Sequence, residues 1–259
     1  MRNLAAARFF LLESEVVMVS DSCKKRFGKI MLEQMELLEQ VEIAPNIFSM
    51  LLKGQMVSQM QAGQFLHIRV PDDSKLLRRP ISIAEIDRGN LTCRIIYRIE
   101  GGGTAIFSQL PVRSFLDVMG PQGNGFDLSH VRAGDHALII GGGIGVPPLL
   151  EVAKELHAKG AQVTTVLGFS DKSAVILEAE MKKYAEVIVT TDNGSYGRQG
   201  YVSAVVDEFS QDYVAVYSCG APAMLKYVDR KFQDHPHAYL SMESRMACGM
   251  GACYACVVH

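Results

Sequence analysis

From residue 31 the chain opens with short runs in which apolar and polar side chains alternate: MELLEQVEIA, IFSMLLKG, GQFLHIRV, ISIAEID, LTCRIIYRIE and SFLDVMG. A period of two puts neighbouring side chains on opposite faces of a strand, so each run predicts a strand with one face buried. Such strands at close spacing, parted by turn residues rather than helices, predict a small antiparallel β-barrel over residues 31–134. The turn cluster GPQGNGF, Gly120 to Phe126, closes it.

The texture changes at Asp135. HALIIGGGIGVPPLLEVAKELHAKG reads as a buried strand, a glycine turn and a helix carrying apolar Leu149, Leu150, Val152, Ala153 and Leu156. QVTTVLGFS, EVIVTTDN and DYVAVYSCG are further buried strands, and a helix follows the last through APAMLKYVDRKF. Strands alternating with helices predict a doubly wound α/β domain with a parallel sheet over residues 135–238. The chain is thus α+β multidomain: barrel, α/β domain, then a cysteine-bearing segment, 239–259.

That last segment carries the sharpest chemistry. Of six cysteines, Cys248, Cys253 and Cys256 stand in the spacing C-x4-C-x2-C. This is the ligand spacing of plant-type [2Fe–2S] ferredoxins, in which a tight loop wraps three thiolates around one cluster and a fourth arrives from further along. Gly249 and Gly251 suit backbone folded closely over sulfide, because glycine lacks a Cβ and tolerates positive φ. A zinc site is the alternative, although zinc more often takes paired C-x2-C motifs. No cysteine follows Cys256 before the chain ends at His259, so the expectation is a longer chain that supplies the fourth ligand.

Other stretches are open to two readings each. Gly141 to Gly145, GGGIG, stands where a strand gives way to a helix, which lets backbone amides approach a pyrophosphate. Val146 replaces the third glycine of the usual fingerprint, and a tight structural turn is the alternative. Arg79-Pro80-Ile81-Ser82 begins a barrel strand, where arginine suits a phosphate oxygen and serine a flavin edge or phosphate; the alternative is a surface turn. Gly101-Gly102-Gly103-Thr104 is a phosphate-binding helix start or a plain capping turn. Cys219-Gly220 and Asp192-Asn193-Gly194 end parallel strands, the edge where open α/β sheets hold ligands. Cys219 as a packed core thiol is the competing view, and Cys93 reads as core filling.

Composition excludes more than it assigns. With 259 residues and 48% hydrophobic content the chain can bury two cores. Charged residues make up 21% and the net charge is −2, so no broad field draws it to nucleic acid or an anionic membrane. No apolar run is long enough to span a bilayer. Cysteines without regular pairing point to a reducing, cytoplasmic setting. Residues 1–30 read as an extension or a mis-called start, with Met31 the plausible true beginning. Arg8, Glu13 and Glu15 argue against a secretion signal, and Cys23 is set aside with this stretch.

Taken in order, RRPIS, IIYR, GGGT, GPQGNGF, GGGIGVPPL, VLGF, YSCG and C-x4-C-x2-C make residues 31–259 resemble the ferredoxin-NADP reductase superfamily. Within it, the likeness is to the electron-transfer subunits of class 1B dihydroorotate dehydrogenase. The resemblance implies a flavin barrel in which Arg79, Pro80, Ile81, Ser82, Ile96, Tyr97, Arg98, Gly103 and Thr104 hold FAD. It implies a nucleotide domain in which Gly141, Gly142, Gly143, Ile144, Gly145, Val146, Cys219 and Gly220 receive NAD, with Cys219 a candidate nicotinamide contact. It assigns Cys248, Cys253 and Cys256 to the [2Fe–2S] cluster. It further implies a heterotetramer, two copies each, with an FMN-containing catalytic subunit that oxidises dihydroorotate in pyrimidine (UMP) biosynthesis.

Elementary redox chemistry reaches the same cofactors: a cluster exchanges single electrons, nicotinamide takes a hydride, and a flavin converts between them. The superfamily often has tyrosine where Ile81 stands, so aromatic stacking on the flavin is not expected there. DKSAV after VTTVLGFS lacks the arginine pair that would grip a 2′-phosphate, which favours NAD over NADP. Two other functions compete: another FAD and iron–sulfur reductase subunit of this superfamily, and a non-enzymatic module with a zinc-bound tail.

Overall fold

A computed structural model describes residues 30–209, 212–253 and 255–256. Residues 1–29 of the expected extension, Cys23 included, and His259 lie outside the described residues. The six alternating runs form β1 (Met31–Ala44), β2 (Ile47–Lys53), β3 (Phe65–Ile68), β4 (Arg79–Asp87), β5 (Thr92–Arg98) and β6 (Phe115–Gln122). They close into a barrel in the order β1-β2-β5-β4-β3-β6, with every pairing antiparallel. Closure pairs every strand and leaves no open edge. On β5 the alternation is plain: Cys93, Ile95 and Tyr97 enter the barrel core beside Met35, Leu52 and Ile83. Ile96, between them, packs into the core of the following domain. A short helix, α1 (Gly102–Phe107), follows β5 and sinks Phe107 into the barrel core.

The second sheet consists of β7 (His136–Gly142), β8 (Gln162–Phe169), β9 (Glu186–Thr191), β10 (Arg198–Gln199), β11 (Ala215–Cys219) and β12 (Ala238–Ser241). Its order is β10-β9-β8-β7-β11-β12 and all pairs are parallel. The helices are α2 (Pro147–Ala158), α3 (Glu178–Met181), α4 (Val202–Val206) and α5 (Pro222–Lys231). Apolar side chains cover both faces. Ile139, Leu167 and Tyr217 pack with the Leu149, Leu150, Val152, Ala153 and Leu156 face of α2. Leu138, Ile140 and Val216 meet Val202 of α4 and Val228 of α5 on the other side. From β7 the chain winds outward to β10 and then returns to β11, so the winding reverses between β7 and β11. At such a point an open parallel sheet leaves a crevice at its carboxyl edge.

A polar brace joins the two cores. Glu151 of α2, 1% exposed, accepts the Ile86 N–H at 2.8 Å. Lys154, one turn on, donates to the Ile86 carbonyl at 2.9 Å and to Glu151 at 3.2 Å. Burial raises the Glu151 pKa, against the pull of the Ile86 N–H and the Lys154 charge. Arg94 of β5 pairs with Glu85 at 3.2 Å and with Glu180 of α3. Among the described residues no helix is long and apolar enough to cross a membrane.

Candidate functional site

A cavity of about 700 Å³ opens between the barrel, the α/β domain and the chain that leaves β12. From the barrel it is lined by Arg79, Pro80, Ile81 and Ser82 of β4, by Ile96, Tyr97 and Arg98 of β5, and by Gly101 to Thr104 at the start of α1. These include every residue that the sequence assigns to FAD. Gly103 shows why glycine stands there: a Cβ would lie 2.6 Å from Arg79 Nε, so bare backbone lets the guanidinium lie across the start of α1. The Thr104 hydroxyl accepts from the Glu100 N–H at 3.0 Å and donates to the Gly101 carbonyl at 3.1 Å, which makes it the cap of that turn. The Tyr97 ring is packed, stacked on Phe48 and edge-on to Phe107 in the barrel core. Size, an arginine on a glycine turn and the apolar Ile81 and Ile96 suit a flavin nucleotide.

The glycine turn of the second domain reaches the same cavity through Ile144. Gly143 takes φ +53, and a Cβ on Gly145 would stand 2.5 Å from the Cys219 carbonyl, so the end of β7 can approach the end of β11 only without side chains. Met224 of α5 lies against both Gly142 and Gly220. Gly141 to Val146 and Cys219-Gly220 therefore meet at the reversal point of the sheet. The Cys219 thiol is 2% exposed and packs in the core; burial pushes it up to about 12. Asp192-Asn193-Gly194 forms an exposed turn after β9, apart from the cavity lining.

Sequence reasoning did not foresee the third wall. Tyr239 to Ser244 and Met246 complete the cavity, and that stretch runs on into Cys248. Glu243 within it is exposed, yet the walls around it take enough water from its carboxyl to raise the pKa, with the Glu100 charge adding and Arg98 opposing. Gly123, at φ +81, and Gly125, at φ +68, line the opposite side, so GPQGNGF does more than close the barrel.

Gly249, at φ +69, and Gly251, at φ +72, adopt the left-handed backbone that their spacing predicts. The Cys248 sulfur accepts the Met250 N–H at 3.4 Å. Partial burial works against its thiolate, but N–H donation from Met250 and the proximity of Cys253 outweigh this and bring the thiol to about 7. A thiolate-prone sulfur on a glycine-bearing loop is the donor chemistry an iron–sulfur cluster needs. Among the described residues, no three His, Cys, Asp or Glu side chains converge on a single point. The loop leans on two barrel residues the sequence did not single out, His67 and Gln122; the only prior sign was a polar residue within the strand run GQFLHIRV. Burial, then the Arg78 charge, lowers the His67 pKa.

Comparison with known proteins follows the same three walls. The oxidoreductase FAD-binding domain family matches residues 34–126, and the oxidoreductase NAD-binding domain family matches 139–230. The iron–sulfur cluster binding domain of dihydroorotate dehydrogenase B matches 243–259. A protein of Streptococcus mutans serotype c named dihydroorotate dehydrogenase B (NAD(+)), electron transfer subunit, is 68% identical over 89% of this chain and 89% of its own length. Its namesake in Streptococcus pneumoniae is 63% identical over 88% of this chain and 90% of its own. Among solved structures, a chain from work on an NADH-dependent reduced ferredoxin-NADP oxidoreductase superposes with a TM-score of 0.76 at 28% identity, over 86% of this chain and 81% of that one. Identity at this level across both domains places the chain in the family of dihydroorotate dehydrogenase B electron transfer subunits.

Proposed function

We propose that this protein carries electrons between a separate, FMN-containing subunit that oxidises dihydroorotate and NAD+, with FAD and a [2Fe–2S] cluster as its own cofactors. The supporting observation is continuity: residues of one segment, Met242 to Met246, line the flavin-sized cavity and lead directly into Cys248. Dihydroorotate gives up two electrons and two protons, and NAD+ takes two electrons and one proton. When bound, FAD supplies the exchange between single electrons and hydride that joins cluster to nicotinamide.

The chain's own residues bind, orient and exclude water. Arg79, with Gly103 and the Thr104-capped turn, would neutralise the flavin phosphates, and Pro80, Ile81, Ser82, Ile96, Tyr97 and Arg98 would hold the rest of the cofactor. Gly141 to Val146 would offer backbone N–H groups to the NAD pyrophosphate, and the Cys219-Gly220 backbone would receive the nicotinamide. Ile81, Ile96 and Ile144 give the cavity an apolar lining that would keep water from the bound cofactors. Cys248, Cys253 and Cys256 are the cluster ligands from the described residues. Residues 31–134, 135–238 and 239–259 are the flavin, nucleotide and cluster units, except that β12 carries the nucleotide sheet on to Ser241. Two such chains and two catalytic subunits form a cytoplasmic heterotetramer in pyrimidine biosynthesis.

The test is direct. The purified protein carries flavin, iron and acid-labile sulfide, and with its catalytic subunit it reduces NAD+ at the expense of dihydroorotate. A colourless protein, or a mixture inert toward NAD+, refutes the proposal. Arg79→Ala should lower flavin retained through gel filtration; full retention would remove Arg79 from the site.

A further inference from the structure

We propose that His67, seconded by Gln122, is a positioning residue that seats the cysteine loop and tunes the cluster held on it; this rests on the cluster reading above. Leu66 and Ile68, its neighbours on β3, enter the barrel core. Alternation therefore turns His67 outward. It is nevertheless 0% exposed, and Gln122 is 1% exposed.

The pair is polar and unmatched. Neither His67 ring nitrogen nor Gln122 Oε1 makes a hydrogen bond of good geometry, although the Arg78 and Cys248 backbones lie close enough to the buried imidazole to act on it. Buried polar groups are nearly always paired, so three atoms so poorly matched at one place call for a role. Two of them face one residue: a Cβ on Gly249 would stand 2.6 Å from Gln122 Oε1 and 2.7 Å from His67 Nδ1. Gly249 directly follows Cys248, the first of the three cluster cysteines.

A neutral imidazole carries one N–H and one lone pair, and the Gln122 oxygen is an acceptor. Together they offer a donor and acceptors to the backbone at Cys248 and Gly249, beside the first of the cluster cysteines. Such contacts orient metal ligands, and hydrogen bonds to sulfur move a cluster's reduction potential. His67 also pairs across the ladder with Pro80, which lines the flavin cavity. One strand spacing therefore separates the residue beneath the loop from one that lines the cavity.

The experiment compares the holoprotein with His67→Ala, His67→Gln and Gln122→Leu. In His67→Ala, iron should pass to a chelator roughly 10- to 100-fold faster. The cluster's midpoint potential and its reduced-state electron paramagnetic resonance spectrum should shift, while flavin content stays at the parent level. His67→Gln, which keeps an N–H donor, should restore most of both properties. Parent-like iron loss and potential in His67→Ala overturn the proposal. If that variant also loses flavin, Gln122→Leu decides: a parent-like potential and iron retention there overturn it as well. A parent protein without iron would instead refute the cluster reading itself.

Discussion

Two surfaces of the barrel receive polar partners from elsewhere in the chain, and they are finished differently. Where α2 meets β4, Glu151 and Lys154 satisfy the N–H and the carbonyl of Ile86. Where the cysteine loop meets β3 and β6, His67 and Gln122 are as deeply buried, yet their atoms facing Gly249 make no hydrogen bond of good geometry. The first is a brace complete within the polypeptide, and it fixes the angle between flavin barrel and nucleotide domain. The second is a seat whose polar groups are matched to what the loop carries. Stability and redox function should therefore separate under mutation.

The largest effect expected from breaking that contrast is on the seat side. Cys253→Ser should remove iron and labile sulfide almost completely and stop dihydroorotate-driven NAD+ reduction. Flavin content and NADH oxidation by an artificial acceptor should survive; joint loss of both activities would merge the two regions. On the brace side, Glu151→Leu strands the buried Ile86 N–H. That should lower unfolding stability by about 1–3 kcal/mol in urea titration without changing iron per folded protein. Iron loss without a change in stability would reverse the assignment.

The smallest effect is in pH. Burial raises the Glu151 pKa above its ordinary 4.5, so folding favours the protonated form. The contribution is fully present below the unfolded value and is lost as pH rises through the raised folded value. Melting temperatures across that window should therefore fall more steeply with pH in the parent than in Glu151→Gln. Parallel curves would show that another group sets the dependence.

Much of this organisation could be read from residue order, and what could not be read has a common cause. The six barrel strands announce themselves because Cys93, Ile95 and Tyr97 alternate with outward neighbours, a purely local rule. The apolar face of α2 and the glycine turns are equally local. β10 and β12 escaped: Arg198-Gln199 is too short to show a period, and Ala238 to Ser241 are all half-buried, with no contrast between faces. Glu151 is a charge on an otherwise apolar helix, and its purpose lies with Ile86, 65 residues away in the chain. His67 looks like any polar strand residue until Gly249 comes to rest on it. Periodicity reveals which way a side chain points, and only the closed chain reveals what it meets.

β12 ends at Ser241 and the first thiol of the loop stands at Cys248, with the cavity wall spelled out between them. A tether so short works as a gauge block. Any tilt imposed on the thiol end must be registered at the cavity wall that this stretch forms. Exchange of side chains between Met242 and Ala247 should accordingly be forgiven more readily than the gain or loss of a single residue.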